Sequence, residues 1–158
     1  MVLADTGRQT PAGLSLLQVG WKATFGLSQP DGSVMLPEQA VVAFVEAEFG
    51  EVNRVHEAEL RLVNADEVTQ QIRTPRGLIP AEVHRQVLAP QVLGATAGSD
   101  SLTPIFIQFP AGSLSVSAPG WYRWICTIGE ARGEMGFQVN QQPNPQTFGP
   151  LPGSGGPN

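Results

Sequence analysis

The chain has 158 residues, 41% of them hydrophobic and 15% charged, and a formal net charge of −5. That length suits one domain able to bury a core without metals or disulfides. The acidic balance, with no basic run, argues against nucleic acid and anionic membrane surfaces as partners, and the single cysteine, Cys126, excludes an internal disulfide and a cysteine-built zinc site.

Low charge combined with 18 Gly and 14 Pro favours a turn-rich all-β protein over a helical one. No apolar run approaches the roughly 20 residues that span a bilayer. The opening Met1–Gly13 has no basic stretch followed by an apolar one, so no signal peptide is expected. The expected location is the cytoplasm, or a virion if the chain is phage-encoded.

In chain order, Gly13–Val19 and Lys22–Leu27 are short strand candidates, and Gln29–Ser33 (QPDGS) is a turn. Ala40–Phe49 alternates cleanly, with Val41, Ala43, Val45, Ala47 and Phe49 on one face. Arg54–Val63 alternates as well, with His56, Ala58, Leu60 and Leu62 on one face. The intervening Gly50–Asn53 predicts a hairpin that sets Val41 against Leu62 and Val45 against Ala58. Asn64–Glu67 turns into a strand over Glu67–Arg73.

Thr74–Asp100 then reads as a long loop, and Pro80–Leu88 within it predicts one or two helical turns, Val83 and Val87 being spaced four apart. Strands resume at Thr103–Phe109, Ser113–Ala118, Pro119–Ile128 and Met135–Asn140. In the third of these, Tyr122, Trp124, Cys126 and Ile128 share the inward face. Residues 1–140 form the expected domain, and residues 141–158 a Pro/Gly-rich flexible tail. About seven to nine strands with short turns predict an antiparallel β-sandwich of immunoglobulin-like type, with one long loop holding a short helix.

Two resemblances follow. Pro119–Ile128 (PGWYRWICTI) resembles the Pro-Gly-x-Tyr start of a late strand in many immunoglobulin-like sandwiches, where the tyrosine bonds to nearby backbone. More broadly, LADTGRQTPAGLSLLQVGW, VVAFVEAEFGEVNRVHEAELRLVNADE and PGWYRWICTIGEARGEMGFQV resemble an uncharacterised domain family of actinobacterial type, found also in phages. Its members share an ADxxQ-like opening, a GKLxxLGxGW-like strand, an acidic VExxWxExNRxH segment, an ELxLVDxDG turn and a PGxYxWxxxIxGE ending. The resemblance covers roughly residues 3 to 140. The chain departs from it at Gln18, Phe49 and Glu67, where the family has Gly, Trp and Gly. It implies a sandwich and supplies no activity.

Candidate functional residues are few. The predicted hairpin would put Glu46, Glu48, Glu57 and Glu59 on one outward face, a low-ranking site for a divalent cation, with Arg54 and Arg61 as the ordinary neutralisers. His56 belongs to the inward face near the hairpin end. His84 lies beside Glu82 and Arg85 in the long loop, where function often resides. A hydrolase built on either histidine is a remote alternative, because no GxSxG, P-loop, HExxH or EF-hand pattern occurs. Cys126, between Trp124 and Ile128, is expected to be a shielded thiol. Trp121, Arg123 and Ile125 fall on the opposite face of their strand and, with His84 and Arg85, are the candidate binding residues. The expectation is a non-enzymatic module without cofactor that binds a protein partner or itself, a phage virion or assembly component being one form of it. The alternative is a small-ligand or cation-binding domain.

Overall fold

A computed structural model describes residues 1–10, 13–47, 54–88 and 101–142. They form fourteen strands and no helix: β1 (Val2–Ala4), β2 (Thr6–Thr10), β3 (Gly13–Leu17), β4 (Ala23–Ser28), β5 (Val34–Met35), β6 (Gln39–Ala47), β7 (Val55–Asn64), β8 (Gln71–Thr74), β9 (Gly77–Pro80), β10 (Glu82–Leu88), β11 (Ser101–Phe109), β12 (Leu114–Val116), β13 (Gly120–Ile128) and β14 (Ala131–Gln141). A three-stranded sheet, β1-β6-β11, stacks on a nine-stranded sheet ordered β10-β7-β13-β14-β4-β5-β12-β8-β9. Every pairing is antiparallel except β4 with β14. A separate β2–β3 hairpin packs against β6 and β11. The all-β sandwich read from composition and alternation is therefore the architecture found.

The core lies between the two layers. Val41 and Ala43 of β6 and Ile105, Ile107 and Phe109 of β11 meet Ala58, Leu60 and Leu62 of β7, Tyr122, Trp124 and Cys126 of β13, and Phe137 and Val139 of β14. Each set occupies alternate positions, because successive strand side chains point to opposite sides. Trp124 is the centre. Its indole stacks on Phe109 across the layers, with ring centroids 4.9 Å apart, and its Nε1 donates to Gln39 Oε1 at 3.4 Å. Beside it Phe137 meets Trp21 edge-on.

Two sequence expectations are overturned. The β6–β7 hairpin does not exist: β6 pairs with β1 and β11, while β7 pairs with β10 and β13. The chain crosses from one layer to the other between Ala47 and Arg54. The apolar faces of Val41 and Leu62 still meet, but through the core and not along a ladder. Alternation fixes which face is buried and says nothing about whether the neighbour is beside a strand or above it. Gly50–Asn53, Glu48 and Phe49 lie outside the described residues.

The second correction concerns Thr74–Asp100. Its first half is not a loop with helical turns. It contains β9, which forms a hairpin with β8, and β10, which pairs with β7 over seven residues from Glu82↔Arg61 to Leu88↔Val55. Val83 and Val87 do share a side, because four is a multiple of the strand period as well as close to a helical turn. β-branched valines and the open edge of β7 decide for the strand. Residues 89–100 lie outside the described residues, as does the expected tail over residues 143–158.

β10 ends its sheet, so one edge of it is free among the described strands. Arg85 pairs with Ala58, on the core side of this strand, yet is exposed. A charge turned inward on an edge strand discourages a second chain from adding there. In β11, also an edge strand, Pro104 has no N–H to leave unpaired.

The corners are closed by specific side chains. Tyr122 Oη donates to Ala118 O at 2.6 Å and accepts from Ala118 N at 3.3 Å. Asn64 Oδ1 accepts from Asp66 N (3.0 Å) and Val68 N (2.8 Å), which builds the turn after β7. Asp31 Oδ1 accepts from Ser33 N (3.0 Å) and Ser33 Oγ (2.6 Å) in the QPDGS turn. Only two described non-glycine residues have left-handed backbone, Gln18 (φ 52°) and Glu67 (φ 62°).

Candidate functional site

The outward face of the nine-stranded sheet has two chemically different halves. The first is built by β13, β14 and β4. Trp121 pairs with Gln138, which in turn pairs with Ala23, and two residues along Asn140 pairs with Phe25. Paired residues share a face, so Trp121, Phe25 and, two further along β4, Leu27 project the same way. They are 57%, 62% and 55% exposed. Strand spacing and rise place Trp121 and Phe25 about 12 Å apart. The indole lies low over the strand beside it, where a Cβ on Gly136 would be 3.7 Å from Cζ3.

Gly26 is why Phe25 and Leu27 face outward. β4 changes partner at this point, from parallel β14 to antiparallel β5. The inward side of Gly26 is so close to β5 that a Cβ there would lie 2.3 Å from Val34 Cγ1 and 2.6 Å from Met35 O. A glycine between two large apolar residues was the sequence signal for this pair, and the sequence reading missed it.

Arg123 and Ile125, proposed from sequence beside Trp121, occupy the expected face but behave differently. Arg123 binds Glu67 Oε1 at 3.1 Å and Glu134 Oε2 at 3.4 Å. Arg132 reaches the same two oxygens at 3.9 and 3.6 Å, closing a four-charge ring. Ile125 is only 2% exposed, with Arg61 and Glu134 as its ladder neighbours. Of the three, Trp121 is the one presented to solvent.

The second half is built by β7 and β10. Glu59 stands directly opposite His84, Arg61 opposite Glu82, and Glu57 opposite Gln86. His84 Nε2 lies 2.7 Å from Glu82 Oε1. Arg61 Nε bonds Glu59 Oε1 at 3.0 Å, although its ladder partner is Glu82. One ligand-type atom from each of Glu59, Glu82 and His84 lies within 4.8 Å of the others. The four-carboxylate face expected from the hairpin is not assembled, because Glu46 is on β6 and Glu57 and Glu59 are on β7, in different layers. Glu48 lies outside the described residues. Arg85 is on the opposite side of β10 from His84, so these two sequence candidates do not act together.

His56 is inward and half-buried, level with Val87; its Nε2 is shielded from solvent and has no partner among the described residues. Cys126 also faces inward, and burial pushes its thiol pKa up, which keeps it protonated and unreactive. It lines a cleft of about 270 Å³ at one end of the sandwich with Met1, Ala43, Val45 and Ile128. No described helix is long and apolar enough to cross a membrane.

Comparison with protein-family models, curated proteins and solved structures finds no match in any of the three.

Proposed function

We propose that this chain is a protein-recognition or assembly module, and that the apolar band Trp121–Phe25–Leu27 is where its partner, or a second copy, docks. The observation that carries the reading is the exposure of all three side chains on one face of an ordered sheet. An exposed large apolar residue is ordinary singly, whereas three on one sheet face, Trp121 across β14 from the neighbouring pair Phe25 and Leu27, favour an interaction surface. Tryptophan is enriched at interface centres because its large rigid ring buries much area at little entropic cost. The Arg123 ring of charges borders the band and would serve as a polar rim. The coincidence of left-handed Gln18 and Glu67 with two glycines of the resembled family supports the proposed kinship with that family, with a phage virion or assembly role as one form of it.

The test replaces Trp121 and Phe25 with Ser, singly and together. Stability is expected to stay within about 0.5 kcal/mol of the parent, as for surface positions generally. Sedimentation mass, and the proteins that co-purify from cells natively carrying the gene, are compared with the parent. Loss of a self-associated species or of a specific co-purifying protein supports the reading. An unchanged mass together with an unchanged set of co-purifying proteins removes it.

A further inference from the structure

We propose that Glu59, Glu82 and His84 form a surface site for a borderline divalent transition ion of the zinc type, on the outer face of the β7–β10 pair. The ladder holds the three in place. Glu82 and His84 are two residues apart on β10 and so share a side, and Glu59 meets His84 across the ladder. Seven consecutive residue pairs between the strands fix that register. Side chains on paired strands need no loop to bring them together, unlike the usual oxygen-only calcium cage.

The donor set selects the ion. Two carboxylates and one imidazole suit zinc-class ions, which take nitrogen and oxygen at about 2.0–2.2 Å in tetrahedral geometry. Calcium needs six to eight oxygens and magnesium a near-ideal octahedron, and this set supplies neither. Tetrahedral ligand atoms sit about 3.3 Å apart at those bond lengths. The 2.7 Å contact between His84 Nε2 and Glu82 Oε1 must therefore open slightly, and Glu59 must close from within 4.8 Å. Side-chain rotation covers both changes, and the ion takes the place of the hydrogen bond between Nε2 and Oε1, with any proton on Nε2 passing to Nδ1 or to water. His84 is 67% exposed at its side chain, Glu82 37% and Glu59 38%, so an ion has a direct path and water completes the sphere.

Arg61 adds an orienting contact. It faces Glu82 in the ladder but pairs with Glu59 Oε1. That bond pins one Glu59 oxygen and leaves the other to bind, in the way that hydrogen bonds to ligating carboxylates orient them in metal sites. It also leaves Glu82 to His84.

The experiment is calorimetric titration of the full chain, stripped with chelator, with zinc chloride and separately with calcium chloride. One saturable zinc event per chain and no calcium event are expected. His84→Ala and Glu82→Gln should each weaken zinc binding at least about tenfold, while Glu57→Gln, two residues along the same face, should leave it unchanged. All three substitutions are at solvent-exposed positions, and an unchanged melting temperature confirms folding. Cobalt(II) absorption gives a second readout: an intense tetrahedral band in the parent, absent in His84→Ala. Absence of saturable zinc binding, or zinc binding of equal strength in His84→Ala, overturns the site.

Discussion

The two halves of the outer sheet face share one backbone and one core, yet one is apolar and the other charged. Around β4 and β13 the exposed large apolar side chains are Phe25, Leu27 and Trp121, with Gln138 between the strands and the Arg123 charge ring along one border. Around β7 and β10 they are Glu57, Glu59, Arg61, Glu82 and His84. Beneath both, the inward positions are the same kind of residue: Leu60 and Leu62 under the charged half, Phe137 and Val139 under the apolar one. The core is therefore indifferent to what the outer face carries. The same kind of core lies under both halves, so the contrast between them is a property of the outer face.

The largest effect should come from breaking the support common to both. Trp124→Ala removes the stack on Phe109 and leaves Gln39 without its donor. Chemical denaturation should register a loss of about 3–5 kcal/mol, and both halves should fail together. A smaller loss, about 1–3 kcal/mol, is expected from Gly26→Ala, because the new methyl meets Val34 and the Met35 carbonyl. Here the damage should be local: amide exchange should quicken in β4 and β5 while β7 and β10 stay protected. Uniform loss of protection would show that the halves are not separable.

Gln18→Gly runs the other way. Relief of left-handed strain of about 1–2 kcal/mol, offset by the freedom that glycine has when unfolded, should raise stability by about 0.5–1 kcal/mol. Glu67→Gly should gain less, since it also removes the contacts to Arg123 and Arg132. Equal gains would mean that this charge ring contributes nothing. The smallest effect belongs to Asp31, whose carboxyl is held below its ordinary value of 3.8, first by the Ser33 hydroxyl and then by the Ser33 amide. A depressed carboxylate pKa adds stability above the unfolded-state value and loses it as pH falls through the folded value. Asp31→Asn should therefore lower the melting temperature slightly at neutral pH, and the gap should close in acid below that range.

How far these contrasts could be read from sequence depends on which physical rule was in play. Inward residues of the long alternating strands were legible, Ile105, Ile107, Phe109, Trp124 and Phe137 among them, since burial imposes a period of two, while Ile125, read as outward, is buried. Strand partners were not. β6 and β7 were paired because a short link joined two matching patterns, but a link of that length can also step between layers. Val83 and Val87 satisfied helix and strand spacing alike, so the open edge of β7, a tertiary fact, decided. The outward Trp121 was legible from its alternation with Tyr122 and Trp124. Phe25 and Leu27 were marked only by the glycine between them, whose close approach to Val34 sets their direction. The Glu59–His84 pairing was hidden by the same error that made β10 a loop.

Arg85 has a wider implication. Without its guanidinium, β10 would offer Val83, residue 85 and Val87 as an unbroken greasy row along an edge that no other described strand covers. Copies could then stack end to end and grow into filaments. A single positive side chain on this face thus disfavours open-ended strand addition at this one edge.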